Sequence, residues 1–90
     1  MRVRKRIRVK GIVQGVGFRW FTRKYANLLG IGGFVRNLPD GSVLVEAEGD
    51  PFAVEALIEK LKVGPSHAVV ESLEIEDIAP KGEYVFRIEY

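Results

Sequence analysis

Ile7 and Val9 alternate with Arg6, Arg8 and Lys10, and from Phe18 onward the apolar positions recur every three or four residues instead. A period of two belongs to a strand with one buried face, and a period near 3.6 belongs to an amphipathic helix. The switch happens twice in 90 residues, and it leaves few architectures open. Between the first strand and the first helix lies Gly11 to Gly17, three glycines in seven residues, which reads as a loop. Phe18, Phe21, Tyr25 and Leu28/Leu29 give the helix its apolar side, and Gly30 stops it at C′. Ile31 to Leu38 reads as a strand, Pro39-Asp40-Gly41-Ser42 as a turn, and Val43 to Glu48 as the returning strand of a hairpin.

Gly49-Asp50-Pro51 then opens a second helix with an acid at the N-cap and proline at the first helical position. Its expected buried stripe is Phe52, Val54, Leu57, Ile58 and Leu61, and Gly64-Pro65 ends it. Val69 to Ile78 is a further extended segment, expected at a sheet edge, and Tyr84, Phe86, Ile88 and Tyr90 alternate in a last strand. The order β-α-β-β-α-β, with one extra strand before the last, is the split βαβ or ferredoxin-like pattern. The expected fold class is therefore α+β: a two-layer sandwich, residues 1–90 forming one domain, with an antiparallel sheet of four to five strands. Both helices would cover one sheet face and leave the other wet. Right-handed crossovers place the first strand between the last strand and Val43–Glu48.

Charge is divided along the chain. Ten of the 14 Lys and Arg precede position 37, whereas all 12 acids lie at Asp40 or beyond. Such a division marks a nucleic-acid arm, an anion site, or two segments that pair in the fold. Cross-strand pairing of Arg6, Arg8 and Lys10 with Glu46, Glu48 and Glu89 would absorb much of it. There is no cysteine, which removes disulfides and thiolate metal sites. No apolar run is long enough for a bilayer, and none follows the basic start as a secretory signal requires, so a cytoplasmic protein with no membrane partner is expected. One Gln, two Asn and a single Met lean toward a heat-adapted source.

Gly11-Ile12-Val13-Gln14-Gly15-Val16-Gly17-Phe18-Arg19 is the segment with chemical content. Glycines let successive backbone N–H groups turn toward one centre, and the loop runs into a helix N-terminus, where free N–H groups and the macrodipole favour an anion. Arg19, in the first turn, offers a planar fork to two phosphate oxygens. The plainer reading is a glycine-rich connection with an exposed arginine. No Gly-Lys-Ser/Thr ends the loop, so it is not a Walker loop, and the parallel sheet of a dinucleotide fold is missing. Asn37 would emerge at the same sheet edge about 10 Å away, two strand spacings. It holds a water against a bound phosphate or merely supports the Pro39–Gly41 turn. Spacing alone leaves both choices open. His67 reads as a surface residue, Trp20, Phe21 and Tyr25 as core and helix surface, and Glu74, Glu76 and Asp77 as edge-strand charge.

The loop motif resembles a signature of the acylphosphatase family. So do Leu29-Gly30-x-x-Gly33-x-Val35-Arg36-Asn37 and Asp40-Gly41-Ser42-Val43, and the likeness continues through Glu46-Ala47-Glu48-Gly49 and Phe86-x-Ile88. Phe34 stands where many members carry Trp. The resemblance implies hydrolysis of a small acyl phosphate to a carboxylate and inorganic phosphate, with no metal and no cofactor. It implies that Arg19 binds the phosphate with the amides of Gln14, Gly15, Val16, Gly17 and Phe18, and that Asn37 positions the water. A monomer is expected. The competing expectation is a non-catalytic module binding nucleic acid through its basic first strand, which lacks stacking aromatics and faces Glu46, Glu48 and Glu89. A third is the same fold inside a larger carbamoyl-phosphate-processing enzyme, against which a chain of 90 residues speaks.

Overall fold

The computed structural model describes residues 1–90, ordered as β1 (Val3–Ile12), α1 (Phe18–Leu28), β2 (Gly32–Asn37), β3 (Val43–Gly49), α2 (Pro51–Val63), β4 (Val69–Ile78) and β5 (Phe86–Glu89). The sheet runs β4-β1-β3-β2-β5. β1 and β2 are each antiparallel to β3. They are therefore parallel to each other with β3 between them, as the split βαβ pattern requires. Val9 and Asn37 both stand opposite Val43, one on each side of β3, so the ends of β1 and β2 leave the sheet level with each other.

The last strand is not where the sequence placed it. β1 pairs with β4 and β3, while β5 lies at the far edge, parallel to β2. Length decides this: β1 and β4 are both 10 residues and make a long ladder, whereas β5 has four residues. Glu89 consequently meets Arg36 and Arg87 rather than β1. Arg6 meets Glu46 as expected, and the rest of β1 finds partners the sequence did not indicate: Arg6 also Glu76, Lys10 Glu74, Lys5 Asp77, and Arg8 Asp40. The acidic run of β4 thus sits on an edge strand, as expected, and its charges face the basic ladder beside it.

One core lies between the sheet and the helices, with Ile7, Val9, Val35, Val43, Val45 and Ala47 from the sheet fully buried. α2 contributes Val54, Leu57, Ile58 and Leu61. Each such side chain contributes about 1.5–3 kcal/mol of burial, and Leu57→Ala is expected to cost about 2–5 kcal/mol. Phe52 is 86% exposed, not part of the stripe. At about 100° per residue it points some 200° away from Val54. In α1 the buried line is Phe18, Thr22 and Ala26. Phe21 and Tyr25 flank it half-buried, and Leu28 is exposed. Small residues let α1 approach the sheet closely, and the buried Thr22 hydroxyl donates to the Phe18 carbonyl at 2.8 Å. Ile31 N–H to Ala26 O (2.9 Å) and Gly30 N–H to Asn27 O (3.3 Å) close α1 in a Schellman motif, with Gly30 at C′ as the sequence indicated.

The face away from the helices is not uniformly wet. Arg4 and Glu48 are buried there, with Glu46 beside them. Arg4 pairs with Glu46 (2.8 Å), Glu48 (3.1 Å) and Glu83 (2.7 Å). Glu48 also accepts the N–H groups of Lys81, Gly82 and Glu83 at 2.7–3.2 Å, which ties the β4–β5 connection across the sheet. A buried charge is tolerable only when it is paired this closely.

Candidate active site

At the edge where β1 and β2 end, the chain encloses a cavity of about 220 Å³. Gly15, Gly17, Phe18 and Arg19 line it from the loop and α1, and Asn37 lines it from the end of β2. The two segments singled out in the sequence therefore meet in one place. Gly15 and Gly17 have φ of 76° and 80°, left-handed values that cost a residue with a Cβ about 1–2 kcal/mol. Space is not the constraint, since a Cβ at either would meet nothing within 4 Å.

Gly17 is the N-cap of α1, and no side chain caps the helix or places an acid in its first turn. The first intrahelical bond runs from Phe21 N–H to Gly17 O at 3.0 Å. The N–H groups of Phe18, Arg19 and Trp20 therefore have no carbonyl four residues back within the helix. Free donors, the positive end of the macrodipole and a guanidinium converge on one cavity. Arg19 has no carboxylate within 4.0 Å. It is steadied instead by its Nη1 donating to the Glu89 carbonyl (3.4 Å) and by stacking at 4.7 Å from the Tyr90 ring. These contacts orient the guanidinium without cancelling its charge.

The side chains of Gln14 and Val16 are turned to other partners. The Gln14 side chain donates to the carbonyls of Leu38 (2.8 Å) and Ser42 (2.9 Å), so it fastens the loop to the hairpin that carries Asn37. That hairpin is itself closed by Leu38 N–H to Ser42 O, and by Asp40 accepting the Ser42 amide and hydroxyl. Hydrogen bonds from Ser42 hold the Asp40 carboxyl below its ordinary value, helped by Arg8. Val16 packs half-buried against the core.

Five other lining residues were not among the candidates: Val13, within the loop itself, and Trp20, Arg23, Ile88 and Tyr90. Arg23 was detectable, since four residues after Arg19 puts it on the same helix face. Trp20, read as core or helix surface, is 60% exposed and stands at the cavity. Ile88 and Tyr90 arrive with β5, whose place beside β2 is a tertiary outcome. His67 is exposed and outside the cavity, and no Asp, Glu or His side chain lines it.

A sequence model of the acylphosphatase family matches residues 5–88. The acylphosphatase of Thermotoga petrophila is 48% identical over 85 residues, 94% of each chain. The crystal structure of acylphosphatase from Bacillus subtilis superposes with a TM-score of 0.95 at 35% identity, covering 98% of this chain and 99% of that one. A full-length HypF in a phosphate- and nucleotide-bound form contains a similar fold, with a TM-score of 0.89 and 29% identity, in 12% of its much longer chain. With the family model spanning nearly the whole sequence and relatives of this likeness end to end, the chain belongs to the acylphosphatase family.

Proposed function

We propose that this acylphosphatase binds the phosphate of an acyl phosphate at the α1 N-terminus, with Arg19 and the loop amides of Gln14 to Phe18, and that Asn37 orients the attacking water. The observation that carries the reading is the uncapped α1 N-terminus and the unpaired Arg19 sharing one cavity with Asn37. Two phosphate oxygens take the guanidinium fork and the remainder take backbone N–H groups. The neutral Asn37 amide holds a water near the anion without repelling it. The water oxygen attacks phosphorus, the carboxyl oxygen–phosphorus bond breaks, and its electron pair leaves on the carboxylate.

A carboxylate is a weak base and needs no general acid to leave. Phosphoryl transfer then depends chiefly on positioning and on charge stabilisation in the transition state, which Arg19 and fixed amides supply. The water's proton passes to a phosphate oxygen. This step is motivated by the cavity lining, which includes no His, Asp or Glu side chain to act as a base. A pH–rate profile governed by an enzyme group with a pKa near 7 would overturn it.

Neutralisation of the basic strand β1 by carboxylates speaks for this reading over nucleic-acid binding. The reading takes the enzyme to be a single-domain monomer in the cytoplasm, as expected from the sequence; no helix is long and apolar enough to cross a membrane. The direct test is hydrolysis of benzoyl phosphate in excess chelator by wild type, Arg19→Ala and Asn37→Ala. Turnover lost in both folded variants supports the roles. A folded wild type without turnover rejects them.

A further inference from the structure

Almost every cation of this chain is answered by a carboxylate. Arg19, Arg23, Lys24 and Lys60 are the lysines and arginines with none within 4.0 Å. Three of the four lie on α1, which contains no acid at all. Arg19 and Arg23 both line the phosphate cavity. Beside that cavity runs a groove of about 410 Å³, lined by Trp20, Arg23, Lys24, Asn27 and Leu28. Trp20 and Arg23 line both, so the two spaces adjoin at these side chains. The groove residues are the outward line of α1 at helical spacing, and they expose Trp20 by 60% and Leu28 by 71%.

A phosphate on Arg19 leaves the acyl group to run along this line. Four residues of helix separate Arg19 from Arg23, a rise of about 6 Å. That matches a short carbon chain with an anion at its far end. The chain's methylenes would lie against Trp20, and the distal anion would meet the unpaired Arg23, with Lys24 adding to the local field.

We infer that Arg23 is a specificity-determining residue that selects acyl phosphates carrying a second anionic group about four carbons along the acyl chain. The inference rests on the acylphosphatase reading above and goes past it, to the half of the substrate that the phosphate cradle does not touch. Arg23 takes no part in breaking the bond. It binds the tail equally in ground and transition states, so its contribution belongs in KM and not in kcat.

The test compares succinyl phosphate with butyryl phosphate, which differ only by a terminal carboxylate in place of a methyl group. For wild type, kcat/KM is expected to favour succinyl phosphate about fivefold, the scale of a partly exposed charge pair. The preference is expected in KM and should shrink as salt is raised. Arg23→Gln should bring the ratio to about one, and Arg23→Lys should keep part of it. Because each protein is measured on both substrates, any general loss of activity or folding cancels in the ratio. Equal use of the two substrates by an active wild type overturns the inference, and so does a preference that survives in Arg23→Gln. Failure to hydrolyse either substrate sinks the hydrolase reading itself, and this inference with it.

Discussion

The two helices begin in opposite ways. α2 starts from Asp50, whose carboxylate accepts the Phe52 N–H at 2.9 Å, and Pro51 removes a donor that would otherwise need a partner. α1 starts from Gly17, in a left-handed conformation, with no side-chain cap and no acid. One start satisfies its own amides and the other leaves them without a side-chain partner. The arginines divide in the same manner. Arg4 is buried among Glu46, Glu48 and Glu83, while Arg19 meets only a carbonyl and an aromatic ring. Residue type therefore does not tell these two arginines apart; the carboxylates around Arg4 and their absence around Arg19 do.

This contrast breaks most sharply at Arg19. Arg19→Ala is expected to lower kcat/KM for benzoyl phosphate on the order of 10³-fold, about 4 kcal/mol, since an unpaired cation stabilises the transition state and little else. Its urea midpoint should stay close to wild type; a large drop there would mean that Arg19 also holds the fold. Removal of a paired charge should do the reverse. Burial alone would raise the Glu48 carboxyl, but the Lys81 and Gly82 amides and Arg4 outweigh it and bring it to about 2 from 4.5. A depressed folded-state value stabilises above the unfolded pKa and is lost as pH falls through the folded one. Glu48 is thus expected to contribute about 3 kcal/mol that disappears between pH 4.5 and about 2. Urea unfolding of wild type and Glu48→Gln across that range checks it, because the gap in stability between them should close on acidification. A constant gap would contradict the assignment.

Asn37→Ala carries the next expected effect, about 10²-fold in kcat, from loss of water positioning. Steady-state kinetics with KM determined separately tests it, and an effect confined to KM would point to phosphate binding instead. The smallest effect sharpens the comparison of helix starts. Asp50→Ala should cost about 1 kcal/mol in urea unfolding and leave kcat/KM unchanged, since α2's cap faces no ligand. A comparable activity loss there would show the two helix ends to be coupled.

Much of this was readable beforehand because it depends on near neighbours in the chain. Periodicity located both helices and the hairpin, Asp50-Pro51 and Gly30 marked their ends, and the glycine spacing before Arg19 indicated a turn onto a helix start. Asn37 remained ambiguous, because its turn and its cavity occupy the same stretch of sequence. Helical stripes were misjudged where size stood in for position: Thr22 and Ala26 are core, while Phe52 and Leu28 are exposed.

What the sequence determined by itself is local: the elements, their caps, and a glycine loop that delivers Arg19 to an uncapped helix start. What only tertiary structure decided is which elements became neighbours. β4 rather than β5 took the place beside β1, which gave the basic strand its carboxylates and sent β5 to the edge beside β2. From there β5 brings Ile88 and Tyr90 to the cavity and steadies Arg19. Gln14 likewise acquired its role by reaching Leu38 and Ser42 across the gap between loop and hairpin. Strand order is set by the combined length and fit of long-range ladders, a sum over partners far apart in the chain, and no local pattern encodes it.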